Sequence, residues 1–139
     1  MRFMIMVRAD ADTESGRFPE ESVLQKLVAD MAEYHEALKK AGALLDGAGL
    51  KPSSAGWRVQ YAGGRQTVID GPFAEARELI AGYTVIEVKS REEALEWSRR
   101  FPNPAGEGKA AAIEVRQLYE VDDFGPGEGV ERLREVGLK

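Results

Sequence analysis

Cysteine is absent from this chain. That excludes disulfides, thiolate nucleophiles, Fe–S clusters and cysteine zinc sites together, and it fits an expected cytoplasmic location. Histidine occurs once, at position 35. One imidazole with scattered carboxylates offers little to a metal, so neither metal nor cofactor is expected, although a site shared across a dimer would escape a one-chain reading. No apolar run approaches the ~20 residues of a membrane span. Positive charge is in deficit too: 19 Lys and Arg stand against 24 Asp and Glu, for a net charge of −5. A chain of that sign is not expected to bind nucleic acid or an anionic membrane directly.

What is present describes one globular domain. The 139 residues are 43% hydrophobic and 31% charged, enough for a core without covalent staples. The opening Met1-Arg-Phe-Met-Ile-Met-Val-Arg8 is too short for a signal-peptide core and lacks a small-residue cleavage site. It reads as a first strand, with Phe3 to Val7 buried on both faces. Asp10 to Pro19 is a polar loop. Pro19, Glu20 and Glu21 suit the first turn of a helix, and Leu24, Leu27, Met31, Tyr34, Leu38 and Ala41 recur at helical steps until Gly42. Ala43 to Leu50 is apolar but broken by glycines, and Lys51 to Ser54 is a loop. Trp57 to Tyr61 and Gln66 to Ile69 form a hairpin about Gly63-Gly64. Ile80 to Lys89 is the clearest strand. Ser90 and Glu93 carry a capping-box signature for a helix from Arg91 to Arg100, and Ala110 to Tyr119 is the last strand. The acidic, Gly/Pro-containing stretch after it leads to a short helix, Val130 to Val136.

The order β-α-β-β-β-α-β makes an α+β, ferredoxin-like sandwich, an antiparallel sheet with two helices on one face. Residues 1–120 form that domain and 121–139 an acidic tail. Two helices cover one face only, yet Met4, Met6, Ala81, Tyr83 and Val85 make the other face apolar as well. A second copy of the same sheet is the expected cover, giving a homodimer packed sheet to sheet.

Three stretches then carry a likeness: "AGALLDGAGLKPS", "TVIDGPFAEARELIAGYTVIEVKSREEALEWSRRFPNP" and "AIEVRQLYEVDDFG". Together they resemble the YCII-related, DGPF-motif family of small bacterial proteins, from the first strand to Phe124. The resemblance implies a dimeric α/β-barrel of two ferredoxin-like subunits. It implies no single activity. YCII-type members have a His–Asp pair proposed as catalytic in a cleft, one branch dehalogenates a hydroxylated aromatic, and DGPF members are often encoded beside extracytoplasmic-function sigma factors. The YCII-type histidine falls about one helical turn earlier, near Met31, which makes His35 a candidate substitute and not a positional match.

Two residues are candidate catalytic groups. His35 alone can supply an imidazole at neutral pH, and it sits beside the apolar stripe of the first helix; the alternative role is a boundary residue of that helix. Asp70 opens the turn Asp70-Gly71-Pro72-Phe73. Its carboxylate either caps that turn, accepting from the backbone of Phe73 or Ala74, or serves as a general base at a cleft rim, with Gly71 admitting a ligand and Phe73 forming an apolar wall. Arg116 and Arg8, on the last and first strands, are candidate anion ligands or members of structural ion pairs. Tyr83, next to Gly82, and Tyr34 add aromatic contacts for a small molecule or for the core.

Other patterns carry no chemistry. Asp10, Asp12, Glu14 and Glu21 imitate a calcium loop, but Ser15 stands where its glycine belongs and a strand precedes the loop. "GAGLKPS" lacks both the dinucleotide pattern and Gly-Lys-Ser/Thr. Two functional classes stay open. One is a small enzyme that uses Asp70, with His35 and Arg116, for acid–base chemistry on a small polar or aromatic compound. The other is a noncatalytic ligand-binding or interaction module, accessory to sigma-factor-linked regulation, whose acidic tail docks a basic regulatory partner.

Overall fold

β1, Arg2–Arg8, alternates as a strand between two environments must. Phe3 and Ile5 are buried, whereas Met4 and Met6 are half-buried. In the computed structural model, which describes all of Met1–Lys139, β1 is a central strand of a four-stranded antiparallel sheet of order β2-β5-β1-β6. The other three strands are β2 (Leu44–Gly49), β5 (Ile80–Glu87) and β6 (Ile113–Gln117). The remaining strands, β3 (Trp57–Ala62) and β4 (Arg65–Asp70), pair only with each other.

The helices α2 (Glu21–Lys40) and α3 (Arg91–Arg99) share the core with one sheet face. Tyr34 and Leu38 of α2 and Ala94 and Trp97 of α3 meet Phe3, Ile5, Ile86 and Val88. The molecule is thus an α+β protein with an antiparallel sheet and helices, consistent with a ferredoxin-like fold. Local signals explain the helix ends. Ser90 Oγ accepts from Glu93 N–H at 3.1 Å, while the Glu93 carboxylate accepts from Lys89 N–H. Gly42 has φ 73° just past α2, the left-handed turn that a helix C-terminus prefers to fill with glycine. No helix is long and apolar enough to cross a membrane.

Five readings of the sequence change. Residues 44–49, within the stretch read as apolar but broken by glycines, form edge strand β2, and the predicted hairpin stands outside the main sheet. The expected loop after β1 contains a short helix, α1 (Ala11–Ser15), closed by a reciprocal cap between Asp10 and Thr13. Pro19 precedes α2 instead of entering its first turn. The last strand is shorter than expected, starting at Ile113.

The tail is tied to the domain. A 3₁₀ turn at Val121–Phe124 buries Val121 and leads to α4, Glu128–Glu135. Arg2 grips Glu120 through Nε and Nη2 at 3.0–3.2 Å and reaches Lys139 O at 2.6 Å. Asp122 pairs with Arg134, and Asp123 accepts from Glu120 N–H. Those acidic side chains are engaged within the chain.

Candidate functional site

A groove of about 870 Å³ runs between α2 and the β2–β5 edge of the sheet, a size suited to a small molecule. His35, Lys39 and Thr84 supply its polar side chains, and Asp46 and Tyr83 border it at the β2–β5 edge. Apolar walls come from residues such as Val28, Met31, Leu44 and Phe101.

His35 is half-buried on α2 and its ring is held at both nitrogens. Nδ1 lies 2.7 Å from Met31 O, one turn back along the helix. A carbonyl can only accept, so Nδ1 carries a hydrogen in this bond. Nε2 lies 2.8 Å from Thr84 Oγ. In the neutral ring Nε2 is therefore the basic nitrogen, and the Thr84 hydroxyl donates to it. The edge of the Tyr34 ring packs against the imidazole with centroids 5.6 Å apart.

Glycines make this approach feasible. A Cβ at Gly47 would stand 3.4 Å from His35 Nε2, and one at Gly82 would stand 3.0 Å from Ala48 O. The missing side chains let β2 lie close to β5 and keep the imidazole at the groove wall. On the other face of this edge, away from the helices, Tyr83 OH donates to the Asp46 carboxylate at 3.2 Å, and that carboxylate also accepts from Gly47 N–H. The negative charge of Asp46, helped by this hydrogen bond and a little desolvation, pushes the Tyr83 phenol up from its ordinary pKa. Tyr83 is thus kept as a protonated donor. No group of three or more His, Asp or Glu side chains is placed to hold a metal ion.

Of the residues singled out in the sequence, His35 lines this groove, whereas Tyr83 borders it with its side chain on the sheet face away from the helices. Asp70 does not join them: it ends β4, is exposed, and lines neither this groove nor a second one of about 620 Å³ beside Arg8. Nor does it cap its own turn. Phe73 N–H donates instead to Ser53 Oγ at 3.0 Å, and Ser53 is held by the Glu14 carboxylate at its N–H and its hydroxyl. Gly71 is there for close approach, since a Cβ would stand 1.9 Å from Ser53 O. Phe73 lies under the Arg58 guanidinium, 3.8 Å from ring centroid to Cζ.

Arg8 pairs with Glu114 at 2.9 Å and donates to Arg77 O. Arg116 lies on the sheet face away from the helices, opposite Met4 in register, with Glu114 at 3.5 Å. Tyr34, expected among ligand contacts, belongs to the core: its hydroxyl donates to Trp97 O at 2.8 Å in a buried site. Burial, offset slightly by the Arg100 charge, pushes its pKa up to about 12. Asp46, Thr84 and Lys39 were not singled out. The signal for the first was "LLDGAG", in which an aspartate precedes two spaced glycines.

Among solved structures the chain is similar to 5-chloro-2-hydroxyhydroquinone dehydrochlorinase from Burkholderia phenoliruptrix AC1100, in complex with 2,5-dihydroxybenzoquinone. That likeness has a TM-score of 0.47 and 14% identity, covering 86% of this chain and 95% of the other. It is also 29% identical over 128 residues to an uncharacterized protein of Rhizobium meliloti (strain 1021), across 92% of this chain and 98% of that protein. The family model of the YCII-related domain matches residues 1–121. A match over all six strands and the three helices α1–α3 extends well past half of the chain, and the chain belongs to the YCII-related domain family.

Proposed function

We propose that this chain is a small enzyme performing acid–base chemistry on a small polar or aromatic compound bound in the α2–β2–β5 groove. The observation that carries this reading is the two-sided hold on His35. Its Nδ1–H is fixed by Met31 O and its Nε2 is presented to Thr84 Oγ. A base needs a set tautomer and a fixed lone pair. Thr84 Oγ donates to Nε2 and has lone pairs left to accept from a ligand O–H, which makes a two-step path for one proton. Tyr83, kept protonated by Asp46, is a further donor at the same β2–β5 edge, on the sheet face opposite His35. Lys39, in no ion pair and on the groove lining, offers a cation to an anionic substituent. The acid–base role that the sequence suggested for Asp70 passes in this reading to His35.

The enzyme is proposed to act as a homodimer, a dimeric α/β-barrel. Met4, Met6 and Tyr83 stay partly exposed on the sheet face away from the helices, and a second copy is the cover of matching shape and chemistry.

The test combines a binding map with a variant. Amide chemical shifts are followed while hydroxylated aromatics and aromatic carboxylic acids are added singly. Expected are shifts confined to 28–39, 44–49 and 81–84, and conversion of a bound compound that His35→Gln slows by about 100-fold or more while still binding it. Absence of groove shifts with every compound, or an unchanged rate in His35→Gln, overturns the reading.

A further inference from the structure

All twelve strand residues of the β3–β4 hairpin are exposed. Its register pairs Trp57 with Asp70, Val59 with Val68 and Tyr61 with Gln66. Cross-strand partners share a face, so one side gathers Trp57, Val59, Tyr61 and Val68. Their exposures are 65%, 38%, 74% and 63%. A lone two-stranded hairpin is marginal in water, and a contiguous apolar face of this kind marks a contact surface. The hairpin is firmly rooted. Gly71 N–H donates to Gly56 O at 3.0 Å, Phe73 N–H to Ser53 Oγ, and no side chain fits at Gly71. The arm therefore points in a set direction with its aromatic face bare.

Asp70 sits at the root of that face, and no ion pair includes it. The open sheet face carries the complementary charge. Glu114 is held by Arg8 at 2.9 Å, which leaves Arg116 with a loose 3.5 Å contact and a side chain 72% exposed. One guanidinium is thus in excess on β6, an edge strand next to Met4 and Met6. The arm departs from the chain after β2, which forms the opposite edge. In a face-to-face pair whose two-fold axis runs along the strands, the β2 edge of one copy comes beside the β6 edge of the other.

We propose that the β3–β4 arm is a dimer clasp. Its Trp57, Val59, Tyr61 and Val68 face packs along the β6 edge and open face of a second copy, and Asp70 pairs with Arg116 of the partner subunit. The clasp rests on the sheet-to-sheet dimer proposed above, and symmetry forms it twice. It gives the "DGPF" corner a purpose, which is to aim the arm and set Asp70 at the junction between subunits.

Because the chain has no cysteine, introduced thiols report this junction directly. Asp70→Cys with Arg116→Cys, mildly oxidised, is expected to run as a covalent dimer on a non-reducing gel, while each single variant stays uncrosslinked. Tyr61→Ser with Val68→Ser, at exposed positions, is expected to raise the dimer Kd ~10-fold or more by sedimentation equilibrium with an unchanged circular dichroism spectrum. A monomeric wild type overturns the sheet-to-sheet dimer and the clasp with it. A dimeric wild type that gives no crosslink and keeps its Kd in Tyr61→Ser/Val68→Ser overturns the clasp alone.

Discussion

His35 Nε2 and Thr84 Oγ stand 2.8 Å apart, a contact between a helix and a strand separated by 49 positions of sequence. With Met31 O holding the other nitrogen, the neutral ring is expected as the Nδ1–H tautomer. Long-range ¹H–¹⁵N correlation spectra distinguish the two tautomers. An Nε2–H pattern in the wild type would contradict the assignment. In Thr84→Val the tautomer should persist, because Met31 O still accepts. The variant should lose about 1 kcal/mol of stability for the missing hydrogen bond, seen as a lower urea midpoint.

Gly47 and Gly71 separate a ligand effect from a folding effect. At Gly71 a methyl group would meet backbone at 1.9 Å, so the two chain segments must move apart. Gly71→Ala is expected to destabilise by about 3 kcal/mol. At Gly47 the nearest atom is the imidazole at 3.4 Å, which can give way slightly. Gly47→Ala should change stability by less than about 1 kcal/mol while weakening groove ligands, because the added methyl narrows the space beside His35. Urea unfolding with ligand titration checks both. Equal destabilisation at the two positions would refute the contrast.

Tyr34 sets an alkaline limit on stability. Its folded pKa is pushed up to about 12 by burial, above the roughly 10 of an unfolded tyrosine. Between these values the unfolded chain has released the proton and the folded chain keeps it, so the unfolded state is favoured as pH rises. The stability is fully present below pH ~10 and falls towards pH ~12, by roughly 2 to 3 kcal/mol for a shift of this size. Tyr34→Phe should remove this part of the pH dependence and lose about 1 kcal/mol at pH 7 with the bond to Trp97 O. Parallel urea midpoints for wild type and variant between pH 9 and 11.5 would show that no such coupling exists.

Local patterns made most of the fold legible. The period of two in Phe3, Ile5 and Val7, the helical stripe through Tyr34 and Leu38, and the Ser90 cap each depend on neighbours within a few residues. What stayed hidden depends on distant partners. Three residues of the "LLDGAG" strand weigh against strand formation by propensity: Asp46, Gly47 and Gly49. Gly47 serves a close approach to His35 and to Tyr83 O of β5, which no local window contains. Asp70 likewise has the spacing of a self-capping turn, but Ser53, pinned by Glu14, takes the Phe73 N–H. His35 was visible as the only imidazole. Its partner Thr84 lies 49 positions away on β5, outside any local window.

Arg2 joins the two ends of the chain. Its guanidinium accepts nothing and has several N–H groups to place. Nε and Nη2 bind both oxygens of Glu120, and Nη2 also donates to Tyr119 O at 3.4 Å and Lys139 O at 2.6 Å. The Arg2 side chain is only 15% exposed, so its removal leaves the Glu120 carboxylate and two carbonyls short of a donor. Arg2→Ala is expected to destabilise by about 1 to 2 kcal/mol and to open the segment after Tyr119 to protease. Arg2→Lys should recover only part of this, because one ammonium cannot reproduce the two-pronged grip. Limited proteolysis followed by mass spectrometry locates the cuts. A tail that resists cleavage equally in wild type and Arg2→Ala would mean that Val121 and α4 hold it without the arginine.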